Sequence, residues 1–234
     1  VDLTQFWYFN TTRPEEMDIL TQEVRFTSTT DSNLQWIFGA YMSDYERMMD
    51  SFLTFGPDAL GLGFVLAIPF EKIVEENTHN ALFGNVSYEV DQWRYDIGLR
   101  YDKWEETELN LDAETNGGIH SGKIDDTETL PRVSITRTLD NGSIAYFTTS
   151  RGYEPGGLNN GVPYTDGSGN RLLGSFNKEE ATQNELGWKG TIRDGRTSIS
   201  VAYFDIDYQD RAFQVVAPNP GGPGLIEYVT NIAG

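Results

Sequence analysis

Residues 93–102 alternate with period two along their whole length: Trp93, Tyr95, Ile97, Leu99 and Tyr101 on one side, Arg94, Asp96, Gly98, Arg100 and Asp102 on the other. Successive side chains of a strand point to opposite faces, so this pattern predicts a β-strand with one greasy and one charged face. Residues 34–46 carry the same signature, with Leu34, Trp36, Phe38, Ala40 and Met42 sharing a side. In 17–29 the alternation is only partial, and Leu20, Gln22, Val24 and Phe26 do not read cleanly as one face. Residues 1–16 contain Arg13-Pro14, show no sustained period and read as loop. Further strands are expected at 81–90, on either side of Asp140-Asn141-Gly142, at 180–192 and at 197–209, and another begins near Tyr228.

The connections alternate in length. Short turns fall at 31–33, 91–92, 140–142 and 193–196, where Asp, Asn and Gly tolerate the positive φ that tight hairpins need. Long excursions occupy 47–78, 103–129, 154–175 and 211–225. About eight strands joined in this way give an antiparallel meander with its short turns at one end and its long loops at the other, the arrangement of outer-membrane barrels. Soluble sandwiches and propellers rarely sort their connections so strictly, and no internal repeat supports a propeller. On residues 93–101 alone, the inner face of a soluble β-sandwich fits as well. The charges opposite suit a water-filled lumen, and the aromatics at the strand ends suit an interfacial girdle.

Composition narrows the alternatives. The 234 residues carry a formal net charge of −19 and lack the basic footprint that nucleic acid requires. No cysteine is present, which removes disulfide scaffolds and thiol chemistry. The longest apolar run, 59–70, is too short for a membrane helix, whereas barrel strands leave mean hydropathy low, here −0.46. That run reads as the packing core of its own loop.

Several segments resemble the barrel domain of TonB-dependent outer-membrane receptors, the iron-complex and siderophore branch in particular. They are TQEVRFTS (21–28) leading to LQWIFGAY (34–41), residues 81–101 with their GLRY ending, YFTTSRGYEPGGLN (146–159), and NELGWK (184–189) followed by Gly195-Arg196 and YFDIDYQD (203–210). Their order and spacing carry the resemblance more than any one of them. It implies an all-β fold, an antiparallel up-and-down transmembrane β-barrel, present here as a partial barrel of about eight strands with long extracellular loops. The family's plug domain and terminal aromatic are not among residues 1–234, so the chain is expected to be an internal part of such a barrel.

The resemblance implies uptake of a ferric siderophore or similar small ligand, energised by TonB through a plug, in a wall surrounded by outer-membrane lipid and lipopolysaccharide. Cobalamin or oligosaccharide uptake, or a soluble β-sandwich binding module, are the alternatives. Candidate ligand-binding residues are Arg151 and Tyr153 at the base of a long loop, and Arg94 and Arg100 on the charged face. Arg is suited to carboxylate or catecholate oxygens because its planar fork donates in pairs.

An enzyme would need a constellation that the chain does not offer. His79 and His120 fall in or beside long loops and are expected to be solvated, and no hydrolase-like sequence pattern sets a serine with either. No cofactor and no metal site is expected. Residues 112–118 (DAETNGG) have oxygen donors without EF-hand spacing and read as a solvated loop.

Overall fold

The computed structural model describes residues 9–57, 59–61, 63–110, 120–165, 171–192, 196–218 and 225–232. Its chain order is β1 (Phe9–Thr12), β2 (Glu15–Thr27), β3 (Leu34–Phe55), a short 3₁₀ turn (Ala59–Gly61), β4 (Leu66–Val90), β5 (Trp93–Asn110) and β6 (His120–Thr138). It continues with β7 (Ile144–Glu154), β8 (Gly157–Thr165), β9 (Arg171–Phe176), β10 (Glu179–Ile192), β11 (Thr197–Gln209), β12 (Arg211–Pro218) and β13 (Leu225–Ile232).

The main sheet is antiparallel throughout its path β1-β3-β4-β5-β6-β7-β10-β11, with β2 also on β3. β1 and β2 are one strand in two pieces, since β1 pairs Phe52–Phe55 and β2 pairs Ile37–Met49. The break falls at Arg13-Pro14, where proline has no N–H to give the ladder. Residues 9–12, expected as loop, therefore belong to the wall. Eight wall strands result, and they form a partial barrel.

Register settles the faces. One rung runs Leu34, Tyr88, Tyr95, Ile135, Phe147, Leu186, Tyr203 across seven strands, apolar or aromatic at every step. Leu20, Gln22, Val24 and Phe26 do share a face, opposite Asp44, Met42, Ala40 and Phe38. This greasy side stands open: Ile97 is 60% exposed, Leu82 63% and Val201 62%. A sandwich would cover it with a second sheet, so that reading fails. Most of the buried residues lie on the other face, among them Asp102, Trp104, Glu108 and Glu128. The outer apolar band spans Trp93–Tyr101 on β5, and register carries its Trp93–Gly98 part through β6 onto Ala145–Ser150 of β7. Nine or so tilted residues suffice to cross the hydrocarbon.

Two glycines show how tightly the strands meet. Gly84 lies opposite Phe38 and Gly39 opposite Phe83, one pair on each face. A Cβ on Gly84 would sit 2.5 Å from Cδ1 of Phe38, so each ring lies flat over the glycine across from it.

The turns close as the sequence suggests. Asp91 takes φ 54 between β4 and β5, Gly142 takes φ 77, and the Gly142 N–H donates to the Leu139 carbonyl at 2.8 Å. Residues 193–195 lie outside the described residues.

The long connections differ from expectation. Most of 47–78 is strand: β3 and β4 stay paired to Phe55 and Leu66, and β5 and β6 to Asn110 and His120. The expected loops are largely paired ribbons standing above the band. The apolar run 59–70 is not a packing core, because Ala59 is buried but Phe64, Val65 and Ile68 are exposed. The connection 154–175 holds the ribbon β8–β9, and 211–225 leads into the ribbon β12–β13, so the strand expected near Tyr228 pairs with β12 rather than with the wall. The two ribbons are tied together. The Asn159 side chain donates to the Val229 carbonyl at 2.7 Å and accepts the Val229 N–H at 2.8 Å, and Asn231 does the same for Asn177 at 2.9 and 2.6 Å.

Candidate functional site

The ladder between β6 and β7 ends at Arg132↔Ser150, one residue short of Pro131, which cannot donate. Beyond that point β6 continues with β5 while β7 leads toward β10. A wedge opens between them at the long-connection end, and residues 175–180 border it. Within it Lys178 reaches Asp126 at 3.3 Å, Glu180 at 3.5 Å and, more closely, Glu128. Arg151 pairs with Glu180 and lies 3.6 Å from Glu128. A cavity of about 540 Å³ follows the wedge, with Trp104, Ile124, Asp126, Phe176 and Lys178 in its walls. Burial pushes the Glu128 carboxyl up, but the Lys178 hydrogen bond, the Thr129 N–H and the nearby cations outweigh this and hold it below its ordinary value.

A second group adjoins the wedge. Asp102, 2% exposed, accepts from Arg100 at 2.8 Å and lies 2.8 Å from Nε2 of His79. The Arg100 guanidinium stands over the Tyr41 and Phe83 rings, 5.7 and 5.9 Å from their centroids, and His79 meets Tyr41 edge-on. Tyr153 lies close by. Burial first, then the negative charge of Asp102, pushes its hydroxyl up to about 12, with Arg100 acting in the other direction.

A third group sits higher on the same face. Arg47 pairs with Glu75, and Glu106 accepts the Leu158 N–H of β8. Burial, then the charge of Glu75, raises Glu106 to about 7.

Three of the sequence-derived candidates, Arg100, Arg151 and Tyr153, are thus brought together at the mouth. Arg94 is not among them. It lies six residues down the strand, ~20 Å away at the usual rise per residue, bonded to Glu89 at 2.8 Å and Asp96 at 3.0 Å. His79, expected as solvated, is half-buried against Asp102. Trp104, Glu106, Asp126, Glu128, Lys178 and Glu180 were missed. Residues 102–108 read DKWEETE and carry no alternation that would mark Glu106; Trp104, a lone aromatic among charged residues, is the one signal they offer. Residues 112–118 lie outside the described residues, as does the side chain of His120.

A single-layer meander with a greasy exterior, a charged interior and all its elaboration at one end is the wall of a transmembrane β-barrel. The chain belongs to the family described as TonB dependent receptor-like, beta-barrel, whose model matches residues 2–234. It is 28% identical over 141 residues to the probable TonB-dependent siderophore receptor PiuA of Acinetobacter baumannii, covering 60% of this chain and 19% of that protein. Among solved structures it is similar to the ferric yersiniabactin uptake receptor FyuA of Yersinia pestis, with TM-score 0.66, 18% identity, and coverage of 87% of this chain and 30% of that one. The siderophore receptor PiuA from Acinetobacter baumannii gives TM-score 0.56 and 17% identity, covering 94% of this chain and 34% of the other. The chain therefore spans under a fifth of the curated relative's length and about a third of these solved chains.

Proposed function

We propose that this chain is an internal part of the barrel of an outer-membrane receptor that takes up a ferric siderophore or similar iron complex. The carrying observation is the wedge mouth. Arg100, Arg151, Tyr153, Trp104 and Lys178 gather at the end of the wall where the long ribbons stand, which is the extracellular end in this family's barrels. The relatives' names, a siderophore receptor and a ferric yersiniabactin uptake receptor, support the same cargo. The protein would bind and pass its ligand rather than transform it, with iron as cargo inside its chelate. Energy would come from TonB through a plug domain filling the lumen, and lipid and lipopolysaccharide would surround the greasy face.

The test uses the full-length protein. It is expected in the outer-membrane fraction, and cells deleted for it should lose growth on at least one ferric chelate under iron limitation. Recovery as a soluble protein, or unchanged uptake of every iron chelate on deletion, would refute the reading.

A further inference from the structure

Among the described residues, the basic side chains at the mouth are already engaged. Arg47 is paired with Glu75, Arg100 with Asp102, Arg151 with Glu180 and Glu128, and Lys178 with Asp126, Glu128 and Glu180. Glu71 and Glu106 add further acid to the same wall. Glu71 accepts from Ser51 and Asn110. An incoming anionic chelate would therefore have to displace a carboxylate from an arginine, or stand unpaired against acids in a partly desolvated site. A protonated amine meets a different balance: Asp126 and Glu180 are themselves paired with Lys178, but among the described residues here three carboxylates, Asp126, Glu128 and Glu180, are set against two cations, Lys178 and Arg151, so acid is left over. Entering the 540 Å³ cavity, the amine finds Asp126 and Glu180 oxygens with the Trp104 and Phe176 rings in the same walls, and aromatic faces add attraction for a cation. The volume falls within the ordinary range for small-ligand sites.

We propose that the mouth sorts its ligands by charge, admitting metal chelates that are uncharged or carry a protonated amine and excluding polyanionic ones. This rests on the receptor reading and reverses the expectation that these arginines select carboxylate or catecholate oxygens. Asp126, Glu128 and Glu180 are the residues that set the preference. Arg151 and Lys178 act by holding those acids in place, not by gripping an anionic ligand.

The experiment uses the full-length receptor in cells and four ferric probes. Three share one trihydroxamate skeleton whose terminal amine is free, acetylated or succinylated, giving a cationic, neutral or anionic form of nearly equal shape. The fourth is a tris-catecholate complex. Uptake competition should rank the free amine first, the acetylated form second and the succinylated form about ten-fold below the first, with the tris-catecholate weakest. In the variant Asp126→Asn/Glu128→Gln the free-amine and succinylated forms should come within about three-fold of each other. The wild-type ranking stands as a test even if that variant is poorly assembled. Equal or better uptake of the succinylated or tris-catecholate complex by the wild type would overturn the charge rule alone. Failure of all four probes, together with growth unaffected by deletion on any iron source, would overturn the receptor reading and this inference with it.

Discussion

Glu106 offers the sharpest handle on how the mouth is held. Its carboxyl lies on the inner face above the band, where Tyr45 and Arg47 of β3, Glu75 of β4, Glu108 of β5 and Ile124 of β6 face the same side, and β8 covers it. Its value rises from 4.5 to about 7. The sign follows from which state holds the proton more tightly. Below pH 4.5 the carboxyl is protonated whether β8 is docked or released, and pH has no effect. As pH rises toward 7 the released state ionises first, so docking weakens across that window and stays weaker above it. The Glu75 charge stays on the wall when β8 leaves and the Leu158 N–H acts in the other direction, so only the burial that β8 imposes is lost; at about 1.4 kcal/mol per unit this is on the order of 1–2 kcal/mol. Glu106→Gln removes the titration and keeps a carbonyl that can accept the Leu158 N–H. Amide exchange of β8, corrected for intrinsic rates, reads the local opening directly. At pH 8 the Gln variant should protect the Leu158 region about 5–30-fold more than wild type, and at pH 5 the two should agree within a few-fold. A wild type whose β8 protection is the same at pH 5 and pH 8, or a Gln variant with the wild-type pH profile, would refute the reasoning.

Two further expectations concern the wall. Ile97→Arg, on the open face, should cost about 2–4 kcal/mol of stability in lipid vesicles if that position lies near the bilayer midplane, and a single cysteine there should react less with a water-soluble thiol reagent than one at Asp96; the reverse order of labelling would exchange the two faces. Gly84→Ala places a Cβ 2.5 Å from the Phe38 ring, and the overpacking should lower stability by about 1–3 kcal/mol in denaturant titration, a loss that Phe38→Leu in the same chain should largely restore.

How much the sequence discloses depends on where a strand meets lipid. Within the band the outer face must be apolar, so β5 announces itself through Trp93, Tyr95, Ile97, Leu99 and Tyr101. Above the band both faces meet water and the constraint lapses. On β3 the outer positions become Asp44, Glu46, Met48 and Asp50, set against Tyr45 and Arg47, and the apolar residues that follow, Phe52, Leu53 and Phe55, keep no period of two. That is why 47–78 and 103–129 read as loops. The wedge was hidden for a different reason. Arg151 meets Glu180, and Lys178 meets Glu128, across an intervening ribbon whose length and register set the encounter, and no local spacing encodes it. Pro131 did mark the place, since a proline inside a central strand needs a ladder that ends beside it.

The asparagine ties between the β8–β9 and β12–β13 ribbons bear on how such a mouth can change. Each amide side chain serves a backbone donor and acceptor in the other connection, as a neighbouring strand would. A ribbon transplanted alone from another member of the family would leave Val229 or Asn177 with unmet backbone groups. Chimaeras that exchange 154–178 should keep their partner only when 210–232 travels with it, so the two connections form one heritable cassette.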